Sequence, residues 1–327
     1  MIHFFILILC SIFVIWASIS LVFASCYKML RAWAWKQSAS QHIHLICILV
    51  ALSTLMTLSL VGFSLKNSFR PLFYPELDHG LNHGGHHLHL CINHLQQDWN
   101  TLGLIVIISI ILILNKQLLS FIYRTWKYFV NRTTVVRLSQ KKDNYYLLNT
   151  TNPMIFTMGF LRPKVFCSEG LINQVSQDEF ESLMAHENCH VMYKDSMVKW
   201  LVRSLTTWYF NQGNLNNDLN LRMEQRADQC SLKHSEGSAN LKALLERFEN
   251  WGSMNYDENY YCAFSRSQTS LRLNLMSQTN QNPVVSKSID QLMHFGLFSA
   301  LILIVIQSQS TEELHHFIES FWSFLIS

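Results

Sequence analysis

The chain has 327 residues, 49% of them apolar and only 14% charged, with a net charge of +3. Ordinary globular chains carry about a quarter charged residues, so the composition argues against a wholly water-soluble protein. A charge this near neutral also offers no electrostatic footprint for nucleic acid.

The run from Phe4 to Ala24 holds no charged residue and reaches the ~20 residues a helix needs to cross a bilayer. The basic flank and short apolar core of a cleaved signal are missing, so a retained span is expected. Leu45 to Leu65 predicts a second. Leu102 to Leu114 is apolar but short, and reaches span length through Leu118 to Tyr123 when Lys116 snorkels. Leu292 to Ile306, also short, includes His294 and predicts a fourth.

Lys28, Arg31 and Lys36 lie between the first two spans, and 20 of the 25 Lys and Arg fall between Lys116 and Lys287. Loops rich in Lys and Arg stay in the cytoplasm. This predicts an outer N-terminus, 28–42 inside, 66–100 outside, 123–290 inside and an outer C-terminus. The expected organisation is three transmembrane helices in 1–122 with an extracytoplasmic loop at 66–100, a cytoplasmic domain at 123–290, a fourth transmembrane helix at 291–308 and a short outer tail at 309–327. Such a chain is expected to be a multi-pass membrane protein, with the lipid bilayer as its first partner.

The outer loop holds HGLNHGGHHLHLCINH, which packs His79, His83, His86, His87, His89, Cys91 and His94 into residues 79–94. The topology puts His315 and His316 of the tail on the same side. Imidazoles with a soft thiol favour copper or zinc over magnesium or calcium, so the loop is a candidate regulatory metal site. It has no fixed ligand spacing, and a plain polar loop fits equally. The other cysteines, in apolar runs or far apart, do not suggest a disulfide framework.

Inside the cytoplasmic segment, small apolar pieces at Tyr145–Leu148, Ile155–Met158 and Lys164–Phe166 predict a small sheet, either domain core or an edge for substrate. Then Phe180, Leu183, Met184, Val191, Val198 and Leu201 follow helical spacing across Asp178–Leu205. Within that helix His186-Glu187-Asn188-Cys189-His190 is an HExxH. Positions i and i+4 share a face, so both imidazoles can bind one zinc ion, with Glu187 beside it as general base. Zinc in a hydrolase takes a third protein ligand. After a turn expected at 211–218, the helical stretch NLRMEQRADQCSL offers Glu224. Asp195 and Asp228 are candidate acceptors that orient the two imidazoles. The apolar stretch 198–210 is expected against the membrane or on the spans, 241–251 reads as an amphipathic support helix, and 252–282 as a flexible connector.

HENCHVMYKD followed by EQRAD resembles the HExxH…ExxxD signature of membrane gluzincin peptidases. TNPMIFTMGFLRPKVFCSEGL (151–171), VSQDEFESLMAHE and Leu271-Arg272-Leu273 are similar to blocks of the BlaR/MecR-type integral-membrane peptidases. The resemblance implies an α-helical membrane protein with four transmembrane helices and a cytoplasmic α+β gluzincin-like zinc protease domain between spans three and four. It implies His186, His190 and Glu224 on zinc, Glu187 as general base and acid, and regulated cleavage of the protein itself or of a winged-helix repressor. A homodimer is among the expected assemblies. Those sensors carry a penicillin-binding domain after the fourth span, where this sequence has about twenty residues, so no β-lactam sensor is expected. Two other readings stay open: a housekeeping membrane protease, and a metal-binding membrane protein with a vestigial protease site.

Overall fold

The structure is a computed structural model that describes residues 2–73, 101–206, 212–234, 238–250, 262–263 and 269–278. The His-rich loop 79–94, the tail with His315 and His316, and the expected fourth span lie outside the described residues.

Helix α1 (Ile2–Ala34) and helix α2 (Ala39–Phe73) contain stretches long and apolar enough to cross a membrane, Ile12–Ala34 and Ala39–Leu60. Among the described residues these are two such helices; the expected fourth span lies outside them. The basic segment 28–42 is not a loop. It is two helix ends joined by four residues, because Lys28 to Ala34 are mostly good helix formers with no Gly or Pro to stop them. Ser38 starts α2 with a reciprocal cap: its hydroxyl accepts from the Gln41 amide, and Gln41 Oε1 accepts from the Ser38 amide, both at 3.3 Å. Helix α3 (Thr101–Leu138) has 38 residues, about 57 Å at 1.5 Å per residue. It therefore outruns a ~30 Å hydrocarbon layer, and Asn115, Lys116 and Gln117 interrupt its apolar stretch.

From α3 the chain enters a five-stranded sheet: β1 (Ser139–Lys141), β2 (Tyr146–Leu148), β3 (Ile155–Met158), β4 (Lys164–Ser168) and β5 (Cys262–Ala263), in the order β1-β2-β4-β3-β5. β4 pairs parallel with β2 and antiparallel with β3. Aromatic and β-branched residues suit the buried strands β3 and β4, and Phe156 stacks on its directly opposite partner Phe166. Gly159, at φ 130° after β3, takes a backbone conformation that L side chains rarely adopt.

Helix α4 (Glu169–Ile172) leads to α5 (Gln177–Tyr193), which starts with a capping box of Ser176 and Glu179. Leu183 and Met184 of α5 join Ile155, Val165, Cys167 and Leu171 in one core, completed by Leu244, Leu245 and Phe248 of α8 (Ser238–Asn250). The support helix expected at 241–251 is thus α8.

Three expectations need correction. The single helix over 178–205 is two, α5 and α6 (Asp195–Leu205), broken at Lys194 with φ 52°. The turn expected at 211–218 is instead the first two turns of α7 (Gln212–His234). Its Asn and Gly content favours a turn locally, but Leu215, Leu219 and Met223 bury against Tyr27, Ile43, Ile46 and Val50 of α1 and α2, and tertiary packing outweighs local preference. The connector expected at 252–282 includes β5 and a helix, α9 (Thr269–Gln278). Val198, Val202 and Leu205 of α6 pack in the α1/α2 cluster as well, so the described part of 198–210 lies on these helices.

A buried polar network completes the joint. Asp218 of α7 accepts from Tyr27 (2.7 Å) and from Arg31 Nε and Nη2 (2.6 and 2.9 Å). Arg222 Nε donates to His42 Nδ1 at 3.0 Å, which leaves the proton on His42 Nε2, 3.1 Å from the Tyr27 oxygen. Arg222 also donates to the Trp35 carbonyl and lies over the Trp35 ring.

Candidate metal centre

α5 and α7 lie side by side, and between them converge His186, His190 and Glu224. Their ligand atoms all fall within 4.8 Å of one another. His190 Nε2 is 3.2 Å from His186 Nε2 and 3.7 Å from a Glu224 oxygen, and His186 Nε2 is 3.4 Å from the other. A tetrahedron with arms of 2.0–2.2 Å has edges of about 3.3–3.6 Å, so the three atoms are spaced like three corners of a zinc-sized site.

The other ring nitrogens fix the imidazoles. His190 Nδ1 donates to Asp195 Oδ2 at 2.7 Å. A carboxylate can only accept, so the Nε2 lone pair is left for a metal. His186 Nδ1 faces Asp228 Oδ1 at 3.1 Å. Asp195 opens α6 directly after the left-handed break at Lys194, and from there its carboxylate reaches His190. Each aspartate has its own guanidinium. Arg226, lying over the Tyr193 ring, bonds Asp195. Arg272 of α9 bonds Asp228 through Nε (3.0 Å) and Nη2 (2.5 Å), with Nη1 3.3 Å from Glu224.

Burial opposes the charge on Glu224, but Arg272, His186, His190 and Lys199 outweigh it and hold the carboxyl well below the usual range. Burial likewise opposes a charged His186, yet Asp228 and Glu224 together raise it above the ordinary imidazole range. Glu187 is fully buried, which pushes its carboxyl up. One oxygen accepts from the Thr157 hydroxyl of β3 at 2.7 Å, while Oε1 has no hydrogen-bond partner among the described residues. An orphaned carboxylate oxygen beside an N,N,O donor set fits a bound zinc ion and its water.

Sequence reasoning missed Arg272, Arg226, Thr157 and Lys199. Arg272 stands in the quoted Leu271-Arg272-Leu273 block, but nothing in its spacing ties it to α7. It also missed a bond: Cys189, within HENCH, is joined to Cys230 of α7, with 6.2 Å between Cα atoms. The expectation of no disulfide is corrected at this pair, because 41 residues of separation hide the fact that the two helices are neighbours. An alkylating maleimide should label neither sulfur until the protein is reduced, and then both. Labelling before reduction, read by peptide mass, would contradict the bond.

Residues 131–253 match the model of peptidase family M48. The matched segment runs from the end of α3 through α8 and holds all three ligand candidates, Glu187, Asp195 and Asp228. M48 is a gluzincin-type metallopeptidase family, so the match implies metallopeptidase activity, and its enzymes typically use zinc. The M48 segment follows two apolar helices that point to membrane association. Arg272 lies beyond the matched residues. A search of curated proteins finds no match.

Proposed function

We propose that this protein is a membrane-held zinc endopeptidase of the BlaR/MecR type, which cuts itself or a cytoplasmic winged-helix repressor when a signal arrives outside. The single observation that supports it most is the triangle of His186, His190 and Glu224 with the orphaned Oε1 of Glu187 beside it. Zinc bound there supplies a Lewis acid and lowers the pKa of water toward about 7. Glu187 Oε1 accepts a proton from the attacking water and hands it to the leaving amine. Thr157 holds the other oxygen, so the carboxylate cannot swing away. Asp195 and Asp228 keep both imidazoles facing the site.

The joint with α1 and α2 supports the transducing role. One helix, α7, is tied to them through Asp218 and Arg222 and carries Glu224 two residues beyond Arg222. A shift of α1 against α2 would move the third ligand directly. The His-rich stretch 79–94, with His315 and His316, is the proposed receiver of copper or zinc.

Proteome comparison of cells carrying the wild type, Glu187→Gln and a chain lacking 79–94, with and without external copper or zinc, tests this. One or two substrates, cut only in the wild type and only with metal, are the expected result. Loss of many unrelated proteins would favour a housekeeping protease, and an unchanged metal response without 79–94 would remove the sensing role.

A further inference from the structure

Where α1 meets the start of α7 there is a cavity of about 490 Å³. Leu21, Ala24, Lys28 and Arg31 line it from α1, spaced by three or four residues and so on one helix face. Trp35, just past the end of α1, and Asn214 of α7 line it too, and among the described residues no carboxylate does. This face changes character along its length. Arg31 is in the last turn of α1 and Lys28 a turn earlier, within about 9 Å of the helix end, whereas Leu21 lies about 20 Å from it. Ser25, between them, donates its hydroxyl to the Leu21 carbonyl at 2.9 Å, so it adds no unsatisfied donor to the apolar part.

Both cations are within reach of a ligand. Lys28 is exposed, and Arg31 keeps 42% of its side chain exposed even while bonded to Asp218. Those bonds use two of the five N–H donors of its guanidinium. In a helix that enters a bilayer, this order of residues matches one ligand class. Two cations and an indole ring stand at head-group depth, and Ala24 and Leu21 stand at acyl depth. Arg binds phosphate through charge-assisted bonds, and basic pockets beside membrane helices take anionic head groups. A soluble anion would leave the apolar part unused, and a zwitterionic lipid would set a second cation against Lys28.

We propose that this cavity binds one anionic phospholipid, with its phosphate on Lys28 and Arg31 and an acyl chain along Ala24 and Leu21. The inference rests on α1 and α2 lying in the bilayer and is independent of the peptidase chemistry. Because Arg31 also holds Asp218, the bound lipid braces the joint to α7.

Native mass spectrometry of the full-length, delipidated chain in detergent tests it, with dioleoylphosphatidylglycerol and dioleoylphosphatidylcholine as probes. The wild type should hold one phosphatidylglycerol at concentrations where phosphatidylcholine does not bind, and its melting temperature should rise with that lipid. Lys28→Gln should bind phosphatidylglycerol about fivefold more weakly. Lys36→Gln, which removes an exposed cation outside the cavity, should match the wild type. A melt without lipid checks that both variants are folded, and Lys28→Ser replaces Lys28→Gln if it is not. Unchanged binding after loss of Lys28, or an equal loss in Lys36→Gln, would show no more than general surface attraction and overturn the proposal. Equal binding of the two lipids, or displacement of the lipid by equimolar glycerol phosphate, would overturn it too. A chain that stays in solution without detergent and binds neither lipid would overturn the membrane reading itself.

Discussion

Glu187→Gln should leave a folded, zinc-loaded protein whose peptide cleavage is slower by about 10²–10⁴-fold, the usual contribution of a positioned general base. The amide keeps the shape of the carboxylate, and its oxygen can still accept from the Thr157 hydroxyl that now holds Glu187 at 2.7 Å. What it cannot do is take a proton from water at the other position. The substitution removes a fully buried carboxylate whose ionisation burial opposes, so stability should hold or rise slightly. A rate measurement beside a thermal melt separates the two effects. Wild-type turnover in the folded variant would remove Glu187 from the reaction.

The largest expected loss of stability comes from Arg272→Met. Arg272 is 1% exposed and meets two buried carboxylates, Asp228 and Glu224. Removing one partner of a buried ion pair costs about 3–5 kcal/mol, because Asp228 and Glu224 would lose their guanidinium where water cannot replace it. Against a total stability of about 5–15 kcal/mol for a domain, much of the folded population is at risk. The variant should melt well below the wild type, and His186 should lose the fixed acceptor that aims it. Adding Asp228→Leu should recover part of the stability but not the metal site. An Arg272→Met protein with an unshifted melt would show that α9 does not bear on α7 as described.

Much of the site was legible because its chemistry is local. HExxH places His186 and His190 on one face by helix periodicity alone, and Glu224 and Asp228 repeat the same i, i+4 logic. The strands were legible for a similar reason: Ile155 to Met158 and Lys164 to Phe166 are short apolar runs next to turn residues. What escaped was set by distant packing. Asp195 is legible as an acceptor, but the left-handed break at Lys194 that precedes it is not. Residues 212–218 carry turn-forming side chains, yet Leu215 and Leu219 fold them into α7 against α1 and α2. Arg272 and the Cys189–Cys230 bond join positions 44 and 41 residues apart, where no periodic pattern reaches.

Metal stoichiometry is the most direct measurement of the central claim, that His186, His190 and Glu224 form one zinc site. The full-length protein and its Glu187→Gln variant, analysed by elemental mass spectrometry after removal of 79–94 from both, should each hold about one zinc per chain. His190→Ala and Glu224→Ala should hold almost none. Zinc retained at the same level in those two variants, or absent from the parent chain, would contradict the account.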